Sequence, residues 1–186
     1  MLAMQKWNCC LKIFNEKNKQ MTRQPYFPEH QRKFMQTYLN KTQTMIEWGS
    51  GGSTFSYAPL VKEYYSIESN LKWYNKVKSK MSSNVHLFYV SPNEDLNTKL
   101  EHTYLQFKDY VDKVHTLGVK VFDIAFIDGR ARIHCAHALL PYLTKDSILF
   151  FHDFVDTRPW YRTILKEYDC IHMQASLAVL KKHENC

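Results

Sequence analysis

From residue 44 onward, short β-rich apolar runs alternate with stretches in which apolar residues recur at helical spacing. The runs fall at 44–48, 63–67, 85–90, 121–127 and 147–151, followed by 170–173 and 176–180. Helical stretches at 55–60, 71–81, about 99–117 and 131–143 fall among and around the first five runs. A further helix is predicted at 158–168, where Pro159 takes the favoured first-turn position, and another at 28–39 precedes the first strand. Strands alternating with helices of this length form βαβ units and a mostly parallel sheet. Only Gln174 and Ala175 separate the last two runs, too few residues for a crossover helix, so these runs must form an antiparallel hairpin. The predicted fold class is α/β: a doubly wound, seven-stranded sheet, mostly parallel with its last strand antiparallel, and helices on both faces.

With 186 residues, 45% of them hydrophobic and 15% aromatic, the chain can bury one proper core. A chain of this size buries roughly 70% of its unfolded surface and needs no disulfide or structural metal for stability. Cys9, Cys10, Cys135, Cys170 and Cys186 form no CxxC pair and are odd in number, which argues against a zinc ribbon or a complete disulfide framework. A reducing, cytoplasmic setting is expected. The first apolar stretch, 1–14, is broken by Lys6, Asn8 and Lys12, and no run approaches the ~20 residues that span a bilayer, so neither signal peptide nor membrane span is expected. Of the net charge of +7, residues 1–45 carry +6, with eight Lys/Arg against two Asp/Glu. The expected organisation is a basic N-terminal segment, 1–43, whose helix packs on the core, followed by a nearly neutral domain, 44–186. The basic segment reads as a solvated amphipathic leader, as the scar of cutting a domain from a longer chain, or as a contact for an anionic partner.

Glycine is scarce. Of five in the chain, three lie in Glu47-Trp48-Gly49-Ser50-Gly51-Gly52-Ser53-Thr54, directly after the first strand and before a helix. Glycine lets a backbone turn tightly and approach a ligand, and a helix start offers free N–H groups. Glu68 ends the second run, 19 residues after Gly49, where an acid can accept hydrogen bonds from ribose hydroxyls. The pairing of loop and acid points to an adenosine-containing cofactor; a Gly-rich turn with a surface glutamate is the bland alternative. The dinucleotide pattern is broken, because its third glycine would fall at Thr54 and an acid, Glu47, stands two residues before the first. No phosphate-loop lysine follows.

These residues resemble the first motif of the class I S-adenosylmethionine-dependent methyltransferases, an acidic residue followed by x-G-x-G. The resemblance covers about residues 44–181 and includes the terminal antiparallel hairpin. It implies a Rossmann-like fold and S-adenosyl-L-methionine as cofactor. Glu47, Gly49 and Gly51 would then frame the methionine part, Glu68 the ribose, and Ser91 and Asn93, after the third strand, the adenine, with Ser50, Ser53, Thr54, Ser69 and Asp128 also expected against the cofactor.

Open parallel sheets bind ligands beyond the carboxyl ends of their strands. The fourth and fifth strand ends read Ile127-Asp128-Gly129-Arg130-Ala131-Arg132 and Phe151-His152-Asp153-Phe154-Val155-Asp156. A single polar residue at a strand end can simply cap the next helix. Asp128, Arg130, His152 and Asp153 on neighbouring tips make a candidate catalytic group. Methyl transfer from a sulfonium needs alignment and a deprotonated acceptor. His152 can take an alcohol proton, or Mg²⁺ or Mn²⁺ held by Asp128 and Asp153 can lower the alcohol's pKa. The two acids resemble those of metal-dependent O-methyltransferases of the catechol and macrolide-sugar types. Phe154 stands where the catechol type has Asn, and His152 where the sugar type has a second Asp. The Asn/Asp-Pro-Pro-Tyr/Phe segment of many base-amino methyltransferases is absent from the fourth strand end, which disfavours methylation of an exocyclic base nitrogen, and nucleic acid is not the expected acceptor.

Arg130, Arg132 and Arg158 can anchor a phosphate or carboxylate, or sit in surface salt bridges. Tyr26, Phe27, Trp160 and Tyr161 can stack on a sugar or on adenine. His134 and His137 lie three apart on a predicted helix, with no acid partner to complete a metal set. The expected function is O-methylation of a hydroxyl on a sugar, a glycan or a similar small molecule. The resemblance extends to methyltransferase domains encountered with glycan-building enzymes, which makes a larger glycan-building protein a possible setting. The rivals are an RNA-directed methyltransferase or RNA-binding module using residues 1–45, and a nicotinamide-dependent oxidoreductase, disfavoured by Thr54 and the hairpin.

Overall fold

A computed structural model describes residues 28–94 and 104–184. Tyr26, Phe27 and most of the basic segment lie outside the described residues. The strands are β1 (Thr44–Trp48), β2 (Glu63–Glu68), β3 (Val85–Tyr89), β4 (Ile124–Ile127), β5 (Ile148–Phe151), β6 (Tyr168–Gln174) and β7 (Leu177–Lys182). The helices are α1 (Glu29–Gln36), α2 (Gly52–Tyr57), α3 (Leu71–Lys78), α4 (Lys108–Asp112) and α5 (Arg132–Leu139).

One seven-stranded sheet has the order β3-β2-β1-β4-β5-β7-β6. The pairs among β1 to β5 are parallel, and β7 runs antiparallel to both β5 and β6. The expected α/β class, the seven strands and the single reversed strand are all present. Strands β4 and β5 are buried at every position, which is why Ile-Ala-Phe-Ile and Ile-Leu-Phe-Phe read as unbroken apolar runs. Successive side chains point to opposite faces. Ala125, Ile127, Leu149 and Phe151 therefore pack against Val111 of α4 and Cys135 and Leu139 of α5. Ile124, Phe126, Ile148 and Phe150 face Met35 of α1 and Tyr57 of α2. Helices thus cover both faces. No helix among the described residues is long and apolar enough to cross a membrane.

Several elements differ from expectation, three of them as follows. The stretch predicted as one helix over 99–117 is, in its described part, a short α4 flanked by 3₁₀ turns at Leu105–Phe107 and Lys113–Thr116. Buried Phe107, Tyr110, Val111 and Val114 keep one face inward with either turn geometry, so the apolar pattern does not separate the two. The segment predicted as a helix over 158–168 is a 3₁₀ helix, Pro159–Lys166. The fourth strand begins at Ile124 rather than Val121, because the Phe122 N–H donates to the Tyr142 carbonyl at 2.9 Å and leaves the ladder.

Candidate active site

The loop after β1 is braced from beneath. Glu47 is fully buried, and its carboxylate accepts from the hydroxyls of Ser53 and Ser66, each at 2.6 Å, and from that of Thr54. The Thr54 oxygen in turn accepts the Gly51 N–H at 3.1 Å, and the Ser50 hydroxyl lies 2.6 Å from that of Ser66. Burial pushes the Glu47 carboxyl above its ordinary range, against the hydroxyl bonds that pull it down. Gly49 adopts a left-handed φ of +100°, and a Cβ there would sit 2.8 Å from the Cα and N of Gly129. Gly129 is itself pressed against the Trp48 carbonyl, 2.9 Å from where its Cβ would be. The tips of β1 and β4 approach this closely only because both residues are glycine.

Glu68 ends β2 beside this loop. Its Oε2 accepts the Ser50 N–H at 2.8 Å and its Oε1 the Asn70 N–H at 2.6 Å. Burial nonetheless pushes its pKa up to about 7, with the backbone N–H bonds of Asn70, Ser50 and Ser69 working the other way. Ser69 and Asn70 continue the same wall.

At the tips of β4 and β5, Asp128, His152 and Asp153 converge, with a possible ligand atom of each within 4.8 Å of the others. His152 Nδ1 is 2.8 Å from Asp128 Oδ1 and 3.6 Å from Asp153 Oδ1. Two guanidinium groups share these acids. Arg132 approaches Asp128 Oδ1 and Asp153 Oδ2 at 3.1 Å each, and Arg158 reaches Asp153 Oδ2 at 2.8 Å. Burial works to raise the Asp153 carboxyl, but Arg132, His152 and Arg158 outweigh it and hold it below the usual carboxylate range. Ala131 and Asp153 take left-handed φ values of 47° and 60°, so both tips turn sharply where the charged groups meet.

A cavity of about 870 Å³ opens over these strand ends. Its walls bring together Gly49, Ser50, Glu68, Ser69, Asp128 and Arg130 of the expected site. Glu47, Ser53 and Thr54 lie behind the wall, while Gly51, Ser91 and Asn93 do not line it. Asn93 instead ties the loop after β3 to the start of α4, its Oδ1 accepting the Asp109 N–H at 3.0 Å. His152 and Asp153 are likewise absent from the lining, with Asp128, Arg132 and Arg158 forming the wall at these tips. Trp160 and Tyr161 also line the cavity, Trp160 being 54% exposed. Asn70, Trp73 and Tyr110, which the sequence pattern did not single out, also line the cavity. For Asn70 the signal was its place immediately before a helix, which its Oδ1 caps by accepting the Trp73 N–H at 3.1 Å.

No protein-family model and no curated protein sequence matches the chain. Solved structures do. A methyltransferase-like protein from Silicibacter pomeroyi aligns with a TM-score of 0.71 at 24% identity, over 88% of this chain and 90% of that one. The MycE methyltransferase of the mycinamycin biosynthetic pathway, in complex with Mg and SAH, aligns at 0.56 and 15% identity, over 84% of this chain and 46% of its own. An rRNA methylase from Streptococcus thermophilus aligns at 0.59 and 11% identity, over 82% and 94%. With these proteins the chain shares the class I methyltransferase fold.

Proposed function

We propose that this chain, built on the class I methyltransferase fold, is an S-adenosylmethionine-dependent O-methyltransferase whose acceptor is a hydroxyl of a sugar, a glycan or a similar small molecule. The observation that carries the reading is the position of the Asp128–His152 pair beside a cavity that also holds the glycine loop and a buried ribose-type acid. At about 870 Å³ the cavity lies toward the upper end of ligand pockets, roughly 300–1,000 Å³, and has room for two reactants. S-adenosylmethionine, when bound, supplies an electrophilic methyl group.

The protein's own residues do the rest. The loop at Gly49 and Ser50 borders the space for the methionine end, with Glu47, Ser53 and Thr54 holding that loop in shape. Glu68 offers carboxylate oxygens to the ribose hydroxyls, with Ser69 beside it, and Ser91 and Asn93 remain the candidates for the adenine end. Asp128, on the wall and backed by His152, receives the proton that the acceptor hydroxyl loses as its oxygen takes the methyl group. Arg130 and Arg158 suit a polar or anionic acceptor, and Trp160 offers a face for a sugar ring. A divalent metal fits this tip poorly, because Arg132 and Arg158 already engage the carboxylates that would hold it.

Incubation with methyl-labelled S-adenosylmethionine and a panel of sugars, catechols and RNAs tests the reading. Label is expected in a sugar or small-molecule hydroxyl, and Asp128→Asn should lower that turnover by roughly 10²–10⁴ with cofactor affinity nearly intact, His152→Ala acting in the same direction through the loss of its support of Asp128. Label entering RNA alone would transfer the assignment to the RNA-directed reading, and NADH binding as tight as that of S-adenosylmethionine would remove the methyltransferase.

A further inference from the structure

Arg132 is the most heavily engaged side chain at the strand tips. It opens α5 directly after the left-handed Ala131, and its guanidinium lies between the ends of β4 and β5, 11% exposed. Nε is 3.0 Å from the Gly129 carbonyl oxygen, Nη1 is 2.6 Å from that of His152, and Nη2 is 3.2 Å from that of Asp128. The two 3.1 Å approaches to Asp128 Oδ1 and Asp153 Oδ2 complete the set. A guanidinium has five N–H groups, and there are five close oxygens. Three belong to the β4 tip and two to the β5 tip, so one side chain staples both.

Two carboxylates and an imidazole within 4.8 Å form a donor set of the kind that takes Mg²⁺ or Mn²⁺, and this is the sole such group among the described residues. An ion joining Asp128 to Asp153 would draw on the oxygens that Arg132 bridges and would sit beside its fixed positive charge. Arginine cannot yield by losing a proton. Arg158 adds a second cation at Asp153 Oδ2.

We propose that Arg132 is the resident cation of this cluster, standing between Asp128 and Asp153 in the place of a divalent metal, and that removing its guanidinium opens a Mn²⁺ site. The inference concerns the cation alone and is independent of methyl donor and acceptor. Arg132 acts as a positioning residue: it balances the two acids and sets the distance between the tips. The charge that a metal would supply is then built into the chain.

Titration of the full chain with Mn²⁺, followed by loss of the free-ion electron paramagnetic resonance signal, reads the site directly. The wild type should show no saturable Mn²⁺ uptake at this cluster below on the order of 1 mM. Arg132→Ala should take up one ion at least roughly tenfold more tightly than that. Adding Asp128→Asn should abolish the new site, and Arg132→Lys, which keeps a cation, should behave as the wild type. Wild-type uptake that Asp128→Asn removes would overturn the proposal, as would a cooperatively melting Arg132→Ala that takes up no ion. Should Arg132→Ala fail to fold, Arg132→Gln, neutral but still able to donate to the tip carbonyls, carries the same two outcomes.

Discussion

A carboxyl held at about pKa 7 beside a cavity has two consequences that can be measured separately. Glu68 has an ordinary value of 4.5 and is raised by burial. Between these values the folded chain keeps a proton on Glu68 that the unfolded chain has lost, so stability falls as pH rises from 4.5 to 7 and then levels. The loss attributable to Glu68 is at most about 3 kcal/mol. Glu47 is also raised and slopes the same way, so the comparison is with Glu68→Gln: denaturant unfolding at pH 5 and pH 8 should show a smaller decline in the variant. Ribose hydroxyls donating to Glu68 favour its ionised form. Binding of S-adenosylmethionine near pH 7 should therefore release protons, seen as a buffer-dependent heat in calorimetry, and should weaken below that pH. The glycines make a second contrast. Gly49→Ala meets both a positive φ and the Gly129 backbone at 2.8 Å, so it should lower the melting temperature. Gly51 has an extended φ of 169° and open space around a built Cβ, so Gly51→Val should leave the melt unchanged while abolishing cofactor binding. The glycine loop and Glu68 were legible in sequence because their signal is local. The need for glycine at 129 was not, since it arises from contacts with Trp48, Gly49 and Tyr110, all distant along the chain. Arg132 was legible as a basic residue near a strand end, but its commitment to internal oxygens depends on the β5 tip, twenty residues on.

At the scale of elements, the segment after β5 shows how little of the chain holds one wall of the site. In the 3₁₀ helix Pro159–Lys166, three residues per turn place Tyr161 and Ile164 on one edge. Ile164 is fully buried, and the Tyr161 ring packs edge-on against Phe151 with centroids 5.0 Å apart. Trp160 and Arg158 are thereby left facing the cavity. Ile164→Ala should cost about 2–5 kcal/mol of stability by leaving a void. Because Ile164 anchors the rim and not the glycine loop, the variant should also raise KM for the acceptor far more than Kd for the cofactor. Equal changes in the two constants would place the segment outside the acceptor site. The buried strands were legible because central parallel strands bury both faces and read as apolar runs. The helical segments were less so, because α-helical and 3₁₀ turns bury residues three apart equally well. The terminal hairpin was legible as a hairpin, but its turn falls one residue later than the spacing suggested, at Ala175 with φ 55° and Ser176.

For the whole molecule, periodicity specifies strands and helices but not their neighbours. The order 3-2-1-4-5-7-6 depends on which apolar faces meet, and it is this order that sets the tip of β4 between those of β1 and β5. The charge distribution lies outside that frame and separates the two acceptor readings. Residues 1–45 carry eight of the basic side chains, and Lys6, Lys12, Lys17 and Lys19 against Glu16 fall within the first twenty. The described residues that line the cavity run from Gly49 to Tyr161. If residues 1–20 serve neither reactant, deleting them should leave sugar methylation and cofactor binding within about twofold of the full chain, a difference of only about 0.4 kcal/mol. An RNA ligand would respond quite differently. Each lysine that neutralises a phosphate releases a counterion and adds about 0.7 to the salt slope on a single strand, so four of them account for roughly 3. If the segment were an RNA footprint, truncation should flatten the dependence of RNA affinity on salt by that amount and depress methylation of RNA in parallel. The expected outcome is that RNA binding is weak before and after truncation, with no change in slope, while label continues to enter the sugar acceptor. A steep slope lost together with activity would instead make nucleic acid the acceptor. The measurement pairs a salt titration of RNA affinity with label transfer on the same two chains.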